Sequence, residues 1–232
     1  MGKRVAIVQS NYIPWKGYFD LINMVDEFIL MDDVQYTRRD WRNRNLIKTP
    51  NGLKWLTIPV NVSGRYYEKI REIGVSDPQW PRRHWDTIRA NYAEASCFKE
   101  QRPMLEALYL ETEETLLSQI NLRFLKAICG FLGIKTKLSW SMDYRVVEGK
   151  SERLLELCRQ AGASKYLSGP SAKAYLDEKL FAAHGIQVCW MDYSGYAEYP
   201  QLYPPFEHGV SILDLILNQG ASAPKHMKSF DY

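Results

Sequence analysis

Within its first 33 residues the chain spells out a strand, a helix and a second strand. "RVAIVQ" (4–9) is a short apolar run rich in branched side chains, the pattern of a buried strand. "GYFDLINMV" places Phe19, Ile22 and, less regularly, Val25 on one helical face, which predicts a helix over about 16–25. "EFILMDD" is a second buried strand that closes on two carboxylates. Two strands so close in sequence with a helix between them form the βαβ unit of a parallel sheet.

The later sequence repeats the alternation. "LKWLTIPVNV" (53–62) reads as one strand, with Pro59 placing it at an edge or near its end. Helical patterns cover 79–95, 101–111 and 112–132, the last stopped by Gly133. Strand 135–144 precedes a helix opened by Ser151 as its N-cap. "KYLSGP" is a short strand, 171–185 a helix ending at Gly185, and "IQVCWMDY" a further strand. A helix capped by Ser211 and stopped by Gly220 follows, and the last dozen residues read as a loose polar tail. The expectation is an α/β fold: an open, mostly parallel, Rossmann-like sheet in a single domain over 1–232, with a helical insertion at 79–132.

Composition narrows the function. A net charge of +3 is too small for a DNA-binding protein. The four cysteines form no CxxC and have no histidine at metal spacing, so no zinc site is expected. No apolar run reaches the length of a membrane span and no secretory signal is visible, so the expected compartment is the cytoplasm. Neither GxGxxG nor GxxxxGK[ST] occurs, and no cofactor is expected. Aromatic residues reach 13%, with 15 Tyr and 7 Trp. Their rings join apolar area to a polar tip, which suits pockets as well as cores.

Ligands of open α/β sheets bind beyond the carboxyl ends of the strands, and two loops there are unusually polar. The first carries Gln9, Asn11, Tyr12, Trp15, Gly17 and Tyr18. The second carries Asp32, Asp33, Gln35, Arg42, Arg44 and Asn45. Paired carboxylates at a strand end serve a cation, sugar hydroxyls or proton transfer; in the plainer reading, one caps a turn and the other pairs with an arginine. Arg42 and Arg44 are planar donors suited to a diphosphate, or else surface charge. A third cluster, Ser168, Gly169 and Lys173, lies where a strand turns into a helix and suits an anion, or is an ordinary turn. Tyr199 and Gln201, with His208, belong to a loop able to cover a ligand. His84 is a candidate base, though a half-packed histidine is the commoner case.

"QSNYIPWKGYFDLI", "DDVQYTRRDWRNRN", "WLTIPV", "YLSGPSAKAYLD", "DYSGYAEYPQ" and "SILDLILNQG" resemble the WbqC-like family, in its order and over nearly the whole chain. Ser10 stands where that pattern often has proline. The resemblance implies a place in bacterial polysaccharide and O-antigen biosynthesis, with transfer of an aminoacyl group, glycine in particular, to a sugar amine. On this reading Arg42 and Arg44 would hold the diphosphate of a nucleotide sugar, and Asn11, Gln35 and Asn45 its hydroxyls. Asp32, Asp33 or His84 would take the proton. The acyl donor would be a carrier-protein thioester, an aminoacyl-tRNA or an adenylate. Two alternatives stand beside it. One is a non-catalytic nucleotide-sugar binding module. The other is an adenylate-forming ligase, whose HxGH turn "PWKGYFDLI" matches only at the glycine.

Overall fold

In the computed structural model, residues 2–62, 64, 67–145 and 147–230 are described. Five strands form one parallel sheet: β1 (Lys3–Val8), β2 (Glu27–Leu30), β5 (Lys137–Trp140), β6 (Ala163–Ser168) and β7 (Gln187–Trp190). Their order is β5-β2-β1-β6-β7. The chain therefore runs outward from β1 through β2 to β5, then crosses back to β6 on the other flank of β1. That reversal puts the topological switch point between β1 and β6.

Period-two alternation sends neighbouring residues of a strand to opposite faces. Ala6, Phe28 and Leu30 join one apolar cluster with α1 (Lys16–Asn23), α2 (Trp80–Tyr92), α3 (Phe98–Leu110), α4 (Leu117–Leu132) and α7 (Ile212–Gln219). Val5, Ile7 and Ile29 face a second cluster built with α5 (Ser151–Gln160) and α6 (Glu178–Ala183). Covering both faces explains why these strands are continuously apolar. The three helices of 79–132 contribute Trp85, Tyr109 and Phe124 to the same cluster as the sheet.

Four local expectations change. The run 53–62 is only half of a unit: β3 (Arg44–Thr49) and β4 (Gly52–Thr57) form an antiparallel hairpin apart from the main sheet. Gly52, at φ 95, makes its tight turn. Ser151 does not cap α5; it lies inside the helix, and its hydroxyl donates to the Tyr175 carbonyl and accepts from Asp177 N–H. The helix expected over 171–185 divides into a 3₁₀ segment (Pro170–Ala174) and α6, because Asp177 caps a new start by accepting from Leu180 N–H. The polar tail is docked rather than loose over residues 221–230, its last two residues lying outside the described ones. The backbone N–H groups of Lys228 and Ser229 donate to the fully buried Asp20 at 3.0 and 2.9 Å, and the Tyr196 hydroxyl donates to it at 2.7 Å. Ser211 caps α7 as expected. Among the described residues no helix is long and apolar enough to cross a membrane.

Candidate functional site

The loop after β1 is fixed backbone by backbone. Ser10 N–H and Oγ both donate to Asp32, at 2.8 and 2.6 Å. Tyr12 N–H donates to Trp41 O at 3.1 Å, and Pro14 O accepts from Ile212 N–H at 3.0 Å. Asn45 Nδ2 donates to Tyr12 O at 3.2 Å. These ties hold the fully buried Ile13 at φ 37, a costly backbone position for a β-branched residue. Arg39 (φ 58) and Tyr203 (φ 61) are the other described non-glycine residues at positive φ. All three fall in the loops that build the carboxyl edge of the sheet, where stored strain accompanies function.

Between these loops lies a cavity of about 320 Å³, lined by Asn11, Pro14, Trp15, Trp41, Asn45, His208 and Gly209. It brings together parts distant in sequence: the β1 loop, the β2–β3 connection, the hairpin and the loop before α7. Its walls are indole faces and side-chain amides, the mixture that small-molecule sites use. The Trp15 ring stands edge-on to Tyr193 and Tyr196, with centroids at 5.2 and 5.5 Å. Gly17 serves that indole: a Cβ there would lie 2.3 Å from it. Arg42 donates to Asn11 Oδ1 and pairs with Asp40 at 3.5 Å, so it orients the amide at the cavity wall.

His208 is the titratable side chain of the cavity. Partial burial and then the Lys16 ammonium lower its pKa below 6.5, against the upward pull of Glu198 and Glu207. It is therefore neutral at pH 7. Lys16, itself brought down to about 8 mainly by burial, sits under the Tyr196 and Tyr199 rings and donates to Ala197 O at 3.1 Å.

A second cavity of about 300 Å³ lies at the switch point, lined by Gln9, Met31, Val34, Gly149, Lys150, Arg153, Leu154 and Tyr175. Gln9 and Asn11 thus line different cavities, with the buried Ser10 between them. A larger, open cleft of about 610 Å³ at the outer edge beside β5 contains none of the residues expected from the sequence.

Several expected contacts turn inward instead. Tyr12 is fully buried, and its hydroxyl meets His84 Nδ1 at 2.9 Å and the Tyr109 hydroxyl at 2.8 Å. His84 donates from Nε2 to Thr57 O at 3.1 Å, so both ring nitrogens are engaged. Burial, opposed by that carbonyl and aided by Arg83, lowers its pKa to about 4. It is a neutral core histidine and does not reach either cavity. Tyr18 OH donates to Gln9 O at 2.8 Å, holding the loop from below.

Asp32 and Asp33 point to different partners and do not form a paired site. Asp32 is fully buried on Ser10, whose Oγ also accepts from Asn121 Nδ2 at 2.9 Å. Asp33 accepts from Ser141 Oγ at 2.5 Å and lies 3.6 Å from Arg153, a wall of the second cavity. Among the described residues no group of three His, Cys, Asp or Glu side chains could hold a metal ion.

Gln35 is exposed, in a bridge with Lys69. Arg44 leaves the loop for β3 and lies over the Trp55 ring. Ser168 is buried, Gly169 is half-buried, and Lys173 lies 5.5 Å over the Trp190 ring, so this turn lines neither cavity. Tyr199 and Gln201 donate to the buried Asp214, each at 2.7 Å, and support the covering loop from within. Trp41, Pro14 and Gly209 complete the cavity without having been singled out in the sequence. The signal for Trp41 was its place among Arg42, Asn43 and Asn45.

The profile described as "WbqC-like protein family" matches residues 9–226. The chain is also similar to the uncharacterized protein Rv1507c of Mycobacterium tuberculosis, 54% identical over 226 residues, which covers 97% of this chain and 98% of that protein. No solved structure matches.

Proposed function

On the premise that the chain belongs to the WbqC-like protein family, we propose that it is a transferase that adds an acyl or aminoacyl group, glycyl among them, to the amino group of a nucleotide-linked sugar. The observation that carries the reading is the 320 Å³ cavity, where two side-chain amides and two indoles surround a neutral histidine. Amides bond hydroxyls through both donor and acceptor, and indoles cover the apolar face of a sugar ring.

In this reading Asn11 orients the sugar through its amide nitrogen, Asn45 braces the wall with its amide bonded to Tyr12 O and Leu46 N–H, and His208 takes a proton from the sugar's ammonium. His208 passes that proton to solvent, the freed amine attacks the acyl carbonyl and the C–N bond forms, His208 takes the second N–H proton, and the bond to the leaving group breaks as the group departs with that proton. Asp32 and His84, proposed from the sequence as bases, keep only positioning parts, since their burial and bonds hold them off the cavity. Asp33 stands beside the second cavity rather than beside this histidine.

The test is incubation with a dTDP-amino sugar and candidate donors, read by mass spectrometry. An N-acylated sugar is expected, and no adduct with any donor overturns the reading. His208→Asn lowers kcat by roughly 10²- to 10³-fold. In the native protein kcat/KM rises with pH through a value below 6.5 and then levels, because only unprotonated His208 accepts; the variant loses that limb. The burial of Asp32 and His84 favours a second reading, a non-catalytic nucleotide-sugar binding module. In that case His208→Asn leaves pathway output unchanged.

A further inference from the structure

Beside the cavity, the loop that leads into the hairpin and the hairpin itself each display an indole that the core does not use. Trp41 and Trp55 remain 42% and 40% exposed, their centroids 5.4 Å apart and their planes inclined by 45°. Cross-strand pairing sets Trp55 opposite Leu46, while Ile47 and Leu56 carry the burial on the other face. The Arg44 guanidinium lies 4.1 Å from the Trp55 ring centre and is anchored by one nitrogen to the Arg39 carbonyl. Its Nε is shut away from solvent without a hydrogen-bond partner. Residues 38–44 hold four arginines against the single carboxylate Asp40.

Exposed tryptophans cost solubility and invite misassociation unless something covers them. Charge decides which kind of cover fits. A protein partner's apolar patch would gain nothing from four arginines, whereas a base with its phosphate matches both the rings and the charge. The platform also touches the site: Trp41 is at once one of its two rings and a wall of the cavity.

We infer that Trp41, Trp55 and Arg44 form a stacking platform for a nucleobase carrying a 5′-phosphate, which seats the nucleotide part of a substrate whose reacting end enters the adjoining cavity. The inference rests on the proposed transfer only in naming what the cavity receives. Two substrates present this chemistry. One is the nucleoside diphosphate of the sugar acceptor, and the other is the single-stranded 3′ end of an RNA esterified with the aminoacyl donor.

The experiment titrates the intact protein with dTDP and, separately, with a single-stranded RNA hexamer ending in CCA, by calorimetry and tryptophan fluorescence at low and moderate salt. Binding with quenched fluorescence is expected. Trp55→Ala weakens it roughly 5- to 100-fold, and Trp55→Phe, which keeps a stacking face, restores most of the loss. Arg44→Gln flattens the salt dependence. A hexamer at least about tenfold tighter than dTDP assigns the platform to the RNA donor; otherwise it belongs to the acceptor's nucleotide. The inference falls if neither probe binds below about 1 mM, or if Trp55→Ala binds as the native protein does at an unchanged melting temperature. Acylation that survives loss of base binding would sink the platform and spare the transferase. Base binding without acylation would do the reverse.

Discussion

Strand β2 starts on one fully buried carboxylate and stops just short of another, and the fold surrounds them differently. Glu27, at the amino edge of the sheet, accepts from Lys3 at 2.7 Å, Lys137 at 2.9 Å, Ser139 at 2.6 Å and the Tyr144 hydroxyl. Burial pushes its pKa up, but these four donors together outweigh burial and hold it at about 2. Asp32, at the carboxyl edge, is held by the two donors of Ser10, with Arg42 acting only through its field. There burial prevails and the pKa rises above the ordinary 3.8. The scaffold end of the strand satisfies its charge in full, and the end that carries the cavities leaves it short. Groups shifted in this uncompensated way gather at functional edges.

The contrast breaks if the two carboxylates respond alike to neutralisation. Glu27→Gln leaves two lysine ammoniums facing an amide. Both lysines are partly in water, so the expected loss is about 2–3 kcal/mol in urea unfolding at pH 7. Asp32→Asn keeps the shape and an acceptor for Ser10 N–H but turns an amide donor on the Ser10 hydroxyl, which already accepts from Asn121, so its loss is about 1 kcal/mol. Equal losses would end the comparison.

Acid sharpens it. The native pKa of Glu27 lies below its ordinary 4.5, so the unfolded chain binds more protons between the two values. Its stabilisation is present above about 4.5 and disappears as pH falls toward 2. Glu27→Gln therefore flattens the low-pH limb of the unfolding midpoint. Asp32 has the opposite sign. Its contribution is full below the ordinary 3.8 and fades as pH rises through its higher native value, so Asp32→Asn abolishes that fading. The smallest effect lies on the carboxyl edge. Arg39→Gly relieves a residue at φ 58 and raises stability by about 0.5 kcal/mol, seen as a higher urea midpoint.

The parallel sheet was legible because its evidence is local: each strand is a continuous apolar run next to a helical period. The hairpin was missed at "RNLIKT", which is too polar to read as a strand by itself. Asn51-Gly52, between that run and "LKWLT", was a turn signal sufficient to pair the two. The site was only partly legible for a different reason. Asn11, Trp15 and Asn45 reach the first cavity and Gln9 the second, but Tyr12, Tyr18 and His84 have the same mixed chemistry and face inward. What separates the groups is whether a distant residue satisfies the polar tip. Tyr109, 97 positions away, does so for Tyr12, and no local pattern encodes that. His208 was visible as part of a covering loop, but its place opposite Asn45 depends on the tie of Ser211 N–H to Leu46 O at 2.9 Å.

The clamp on Asp20 has a consequence for the order in which the protein is made. Its holders, Tyr196 and the backbone of residues 228 and 229, follow Asp20 by 176, 208 and 209 positions and leave the ribosome long after α1. During synthesis the helix that supports Trp15 waits, its carboxylate without these donors, until they emerge. The support behind the Trp15 wall of the cavity is thus completed late in synthesis. A truncation before Lys228 would remove two of the donors to Asp20 and so act, across the sequence, on the wall that Trp15 forms.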